Sequence, residues 1–155
     1  MKRRTFLKGG IAASAATVAA SAGLLTPTAV LAAWPKSAFE SKDLKAAMSA
    51  IAGGDSPAMD SSIKFSKTPD IAENGAVVPV TVSTDMAGVE SISIFASNNP
   101  SPLLASFNLG EGALPYASTR IKMAKTGDVI AVVKANGKLL MNKKQVKVTI
   151  GGCGG

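Results

Sequence analysis

Val129-Ile130-Ala131-Val132-Val133-Lys134-Ala135-Asn136-Gly137-Lys138-Leu139-Leu140-Met141 reads as a strand, a two-residue turn and the start of a return strand. Asn-Gly is a strong type I′ hairpin signal, because both central residues of that turn need positive φ and few others tolerate it. Beyond Met141 the pattern becomes a strict alternation. Val146, Val148 and Ile150 point one way, Lys147 and Thr149 the other, as on a half-buried strand.

The same period of two runs back towards the start of the chain. Ile63 and Phe65 alternate with Lys64 and Ser66, and Val78, Val80 and Val82 form a second series. Pro79, on the opposite face of that series, suggests an edge or a bulge, since proline cannot donate to a ladder. Val89–Phe95, Leu103–Leu109 and Tyr116–Met123 read as further strands, with Asn98-Asn99-Pro100 marking a turn. Seven or eight short strands at this spacing predict an all-β fold, an immunoglobulin-like antiparallel β-sandwich. One short N-terminal helix precedes it. Phe39, Leu44, Ala47, Met48 and Ile51 recur at helical spacing over Ser37–Ala52, with Ser41 as N-cap and Gly53-Gly54 as the stop. That face would either dock a partner or pack on its own domain. Gly53–Pro57 reads as the link between helix and sheets.

Composition closes most catalytic routes. The 155 residues include no His and one Cys. Ser-His-Asp and Cys-His pairs, imidazole metal ligands, CxxC redox pairs and Cys-rich zinc sites are all excluded. No cofactor is expected. The length suits one domain. The formal charge of +7 is swollen by Lys2, Arg3, Arg4 and Lys8; the rest of the chain carries 13 basic against 10 acidic residues. With few aromatics and no basic block beside them, nucleic-acid binding is not indicated.

Those first charges belong to an address. Lys2-Arg3-Arg4-Thr5-Phe6-Leu7-Lys8 leads into an Ala-rich apolar run from Gly9 to Leu25, then Pro27 and the small-residue end Val30-Leu31-Ala32. This is the order of a signal peptide, here of the twin-arginine type. Ser14, Thr17 and Ser21 interrupt the run, which argues against a membrane anchor and for a mature form without a membrane span. The expected divisions are 1–32 as signal peptide, 33–150 as helix plus sandwich, and 151–155 as a separate arm. The expected location is the periplasm. The twin-arginine route carries folded cargo, either to insert a cofactor beforehand or to take along a partner lacking a signal. Without visible cofactor ligands, the second use gains weight.

The arm carries the specific signal. Gly151-Gly152-Cys153-Gly154-Gly155 directly follows the last strand. Four glycines cannot pack a core and resist ordering, because glycine loses the most backbone entropy on folding. Five residues reach at most about 17 Å, and their bare backbone suits a narrow channel. A free thiol titrates near pKa ~8.5, and a low-pKa nucleophile needs a cation, a helix N-terminus or a metal beside it. The glycines offer none. Lys143, Lys144 and Lys147 upstream read as a solvated strand face. An unactivated thiol on a mobile arm suits a carrier whose partners activate it. Two other classes remain open at this stage: an exported immunoglobulin-like assembly module that dimerises through Cys153, and a thiol enzyme such as a sulfurtransferase.

The chain resembles the SoxY family, the sulfur-carrying subunits of the bacterial thiosulfate-oxidising Sox system. The likeness rests on the twin-arginine leader, on Pro69-Asp70-Ile71-Ala72-Glu73-Asn74-Gly75-Ala76-Val77-Val78-Pro79-Val80, on Gly88–Ile92 and Ser118–Met123, and on the GGCGG ending. The resemblance implies a carrier and not an enzyme. Cys153 would be the substrate attachment point, and Gly151, Gly152, Gly154 and Gly155 the flexible arm. It implies a heterodimer with SoxZ and transient docking to SoxAX, SoxB and SoxCD. The cargo it implies is a thiosulfate-derived covalent adduct, a cysteine S-thiosulfonate.

Overall fold

A computed structural model of the chain describes residues 35–150. The expected leader and the arm Gly151–Gly155 lie outside the described residues. Two short helices, α1 (Lys36–Glu40) and α2 (Leu44–Ala52), precede nine strands. These are β1 (Ala58–Met59), β2 (Lys64–Ser66), β3 (Ile71–Asn74), β4 (Val78–Ser83), β5 (Val89–Ala96), β6 (Leu103–Asn108), β7 (Tyr116–Ile121), β8 (Gly127–Ala135) and β9 (Lys138–Ile150). One sheet has the order β1-β9-β8-β5-β6, with β3 also on β9; the other has the order β2-β4-β7. The two sheets face each other across Val78, Val80 and Val82 of β4, Ile92 and Ile94 of β5, and Val129, Ala131 and Val133 of β8. This is the expected sandwich.

The quoted stretch forms its hairpin as read. Asn136 and Gly137 have φ of 49° and 71°, and β8 pairs antiparallel with β9 from Ala135↔Lys138 to Gly127↔Val146. Glu90 reinforces the turn. Its carboxylate meets the Lys134 ammonium at 2.9 Å and accepts from the Gly137 N–H at 3.0 Å, contacts that hold the Glu90 carboxyl below its ordinary pKa.

The unbroken apolar run of β8 has a cause that alternation alone does not reveal. Val129, Ala131 and Val133 face the other sheet, while Ile130 and Val132 face the helices. Both faces of β8 are covered, so neither can be polar. Ala38 of α1 and Ala47 of α2 are fully buried against Phe95, Leu103, Ile130 and Val132. The helical face therefore packs on its own domain.

Three expectations need correction in detail. The single helix over Ser37–Ala52 is two helices. Ser41 is extended and ends α1; Asp43 caps α2, its Oδ1 accepting from the Ala46 N–H at 2.8 Å. An aspartate in that position satisfies an otherwise orphaned donor, so the chain restarts the helix there. Gly53, at φ 69°, ends it as expected. Second, the segments at Leu139–Met141 and Val146–Ile150 are one strand of 13 residues. The polar stretch between them stays extended because β8 pairs alongside it, and because the Asn142 side chain donates to the Ile63 carbonyl at 2.7 Å. Third, β1 and β3, unforeseen in the sequence, join β9 in parallel. Pro79 sits where β4 has a neighbour on one side only, since β2 runs beside Thr81–Ser83 alone.

Candidate functional site

The sequence places the candidate thiol three residues beyond Ile150, so the described part of the site is the root from which Gly151–Gly155 continues. β9 outruns β8 there: the ladder between them stops at Val146. A bare strand end would fray, and three separate contacts hold this one. β3 pairs with it in parallel, Ile71↔Lys147, Ala72↔Val148 and Asn74↔Ile150. Thr126 closes the side that β8 vacates, its Oγ1 lying 2.9 Å from the Val148 N–H and 3.4 Å from the Val148 carbonyl. Thr149 Oγ1 donates to the Glu73 carbonyl at 2.8 Å.

The final clamp is the β3–β4 turn. Asn74 Oδ1 accepts from the Ala76 N–H at 2.8 Å, an Asx-type turn that fixes the backbone of Gly75. Gly75 is buried and uses both of its peptide groups. Its N–H donates to the Ile150 carbonyl at 2.7 Å, and its carbonyl accepts from the Met123 N–H at 2.8 Å. The last described residue is thereby tied to β3, β4 and the segment after β7. The point from which the chain continues towards Cys153 is therefore fixed.

Ile150 and Val77, at this end, are 68% and 56% exposed. Of the lysines upstream, Lys143 pairs with Asp128 at 2.9 Å and Lys144 with Asp70 at 3.1 Å. Lys144 also donates to the Thr68 carbonyl at 2.6 Å. Lys147 is exposed and unpaired among the described residues. A cavity of about 390 Å³ lies at the opposite end of β4, lined by Met86–Val89, Gly110–Ala113 and Pro115. Glu111 is its only ionisable group and it contains no nucleophile. Among the described residues no group of three or more His, Cys, Asp or Glu is arranged to hold a metal ion. No helix among them is long and apolar enough to cross a membrane.

All five residues expected to form the site, Gly151, Gly152, Cys153, Gly154 and Gly155, lie outside the described residues. Sequence reading missed the clamp made by Gly75, Thr126 and Thr149. The Asn74-Gly75 dipeptide marks a turn, but nothing local says what that turn holds.

Residues 48–153 match the family described as sulfur oxidation protein SoxY. The chain belongs to the SoxY family. Its fold superposes on that of the sulfur carrier protein SoxY from Chlorobium limicola f thiosulfatophilum with a TM-score of 0.62. The two are 44% identical over 70% of this chain and 97% of that one. A superoxide reductase (neelaredoxin) from Ignicoccus hospitalis shares 19% identity over 56% of this chain and 79% of its own, with a TM-score of 0.50. That likeness is one of fold alone. No curated protein matches the chain.

Proposed function

We propose that this SoxY-family chain is a periplasmic sulfur carrier, exported through its twin-arginine leader, with Cys153 as the attachment point. The observation that carries the reading is the extent of the family match, which runs from residue 48 to residue 153 and so reaches the cysteine. The clamped root at Ile150 supports it. The chain is a carrier, and its partners perform the turnover. No histidine is present to act as a base, and a glycine-flanked thiol has no cation in its sequence neighbourhood to lower its pKa.

The loading step joins the Cys153 sulfur to the sulfane sulfur of thiosulfate. A proton is released and an electron pair passes to an oxidising haem partner, leaving a cysteine S-thiosulfonate. Water then cleaves the sulfur–sulfonate bond on a hydrolytic partner, releasing sulfate and a proton and leaving a persulfide on Cys153. On a further, oxidising partner the outer persulfide sulfur takes three oxygens from water and gives up six electrons and the accompanying protons, leaving a cysteine S-sulfonate. A second hydrolysis releases it as sulfate and restores the Cys153 thiol for reloading. SoxAX, SoxB and SoxCD are the partners for these visits, and SoxZ is the heterodimer subunit. Covalent attachment keeps small anionic intermediates from diffusing away between sites.

The glycines are part of this function. Valine at Gly152 or Gly154 adds a branched side chain to a segment that must enter a recessed site. Gly152→Val and Gly154→Val are expected to slow electron transfer in a reconstituted Sox system at least about tenfold, the cost of misplacing a reacting group by roughly an ångström. Reaction of the same variants with a small thiol reagent should change little. Equal losses in the two assays would remove the threading role of the arm.

A further inference from the structure

The charges of residues 35–150 are unevenly placed. Thirteen Lys and Arg stand against ten Asp and Glu, and the small excess traces to one end of the molecule. Lys122 and Lys125 flank Met123, whose N–H is tied to Gly75. Arg120 lies next to the end of β7, and Lys147 lies near the end of β9. All four cations are exposed, and none forms an ion pair among the described residues. Two acids stand at this end: Glu73, and Asp70, whose carbonyl accepts from the Lys147 N–H and whose carboxylate is taken up by Lys144 at 3.1 Å. Apart from these groups and Lys144, cations and acids are equal in number. The same end exposes Val77 and Ile150, and the chain continues from it to Cys153.

Cys153 is three residues beyond Ile150, a reach of at most about 11 Å. Any protein that takes this thiol into a recessed site must bring its own surface against the root. Docking surfaces combine an apolar centre with a polar rim, and clustered like charge steers the encounter with an oppositely charged partner. We propose that the root end, with Val77 and Ile150 at its centre and Lys122, Lys125 and Lys147 around them, docks an entrance rimmed by Asp and Glu on the partner enzymes. The proposal rests on the carrier reading of Cys153. Capture of free thiosulfate accounts for less: exposed lysines in water hold a small anion weakly, and such an anion has no use for two exposed aliphatic side chains.

The test uses the full exported chain with its partner subunit, in reconstituted thiosulfate-dependent electron transfer. Lys122→Glu, Lys125→Glu and Lys147→Glu are combined in one variant. The KM for the carrier should rise about tenfold or more at low ionic strength, and the gap should narrow as salt screens the field. Titration of Cys153 by a neutral aromatic disulfide should be unchanged, as should the melting temperature, and the matching Gln variant should show a smaller rise. An unchanged KM and salt dependence would overturn the proposal while leaving the carrier reading intact. A rise confined to the KM for thiosulfate would overturn it in favour of small-anion steering. Full activity in Cys153→Ser would instead remove the carrier reading, and this surface with it.

Discussion

Cys153→Ser is expected to reduce thiosulfate-dependent electron transfer in a reconstituted Sox system to background, with no change in melting temperature. The argument is chemical. A serine hydroxyl at neutral pH has almost no anionic fraction, and the bond to be formed is between sulfurs, so no partner enzyme can rescue it. It is also structural. The root of the arm is held by the backbone of Gly75, by Thr126 and by Thr149, and none of these contacts involves the thiol. Pairing with a partner subunit should survive for the same reason. Partial activity in the serine variant would mean that the sulfur is carried elsewhere, and the chain offers no other cysteine.

Phe95→Ala should have the largest effect on stability. Phe95 is fully buried beneath the two helices, against Ala38, Ala47, Leu103, Ile130 and Val132. Truncating a buried phenylalanine costs about 3–5 kcal/mol, the lost transfer free energy plus the cavity left behind. Domains of this size are stable by only about 5–15 kcal/mol, so the melting temperature should fall by about 10–20 °C. Thermal unfolding followed by circular dichroism would measure it. A change below about 1 kcal/mol would mean that the helices contribute little to the packing. The variant is expected to keep Cys153 as reactive as before, because the helix cluster shares no residue with the clamp at Ile150.

What the sequence made legible was local. The Asn136-Gly137 turn is encoded in two adjacent residues whose positive φ few others accept. The alternation of Val78, Val80 and Val82 likewise needs only neighbours to be read. The break between α1 and α2 was missed because Ser41 and Asp43 are both good caps two residues apart, and only the packing of Ala38 and Ala47 shows which is used. β1 and β3 were missed for a different reason. Two- and four-residue strands have too little pattern of their own, and β9 makes them strands by pairing with them. The site divides in the same way. Cys153 stands out by composition, whereas the clamp joins Gly75 to Ile150 and Thr149 to Glu73 across more than seventy residues of chain. No local signal reports contacts at that separation.

The central claim is that Cys153 bears sulfur covalently, and intact-protein mass spectrometry on material from cells oxidising thiosulfate tests it most directly. The predicted result is a chain beginning near Ala33 whose Cys153 carries a thiosulfonate or persulfide mass that reductant removes. A bare thiol under those conditions, or a disulfide-linked dimer as the sole modified form, would contradict the account.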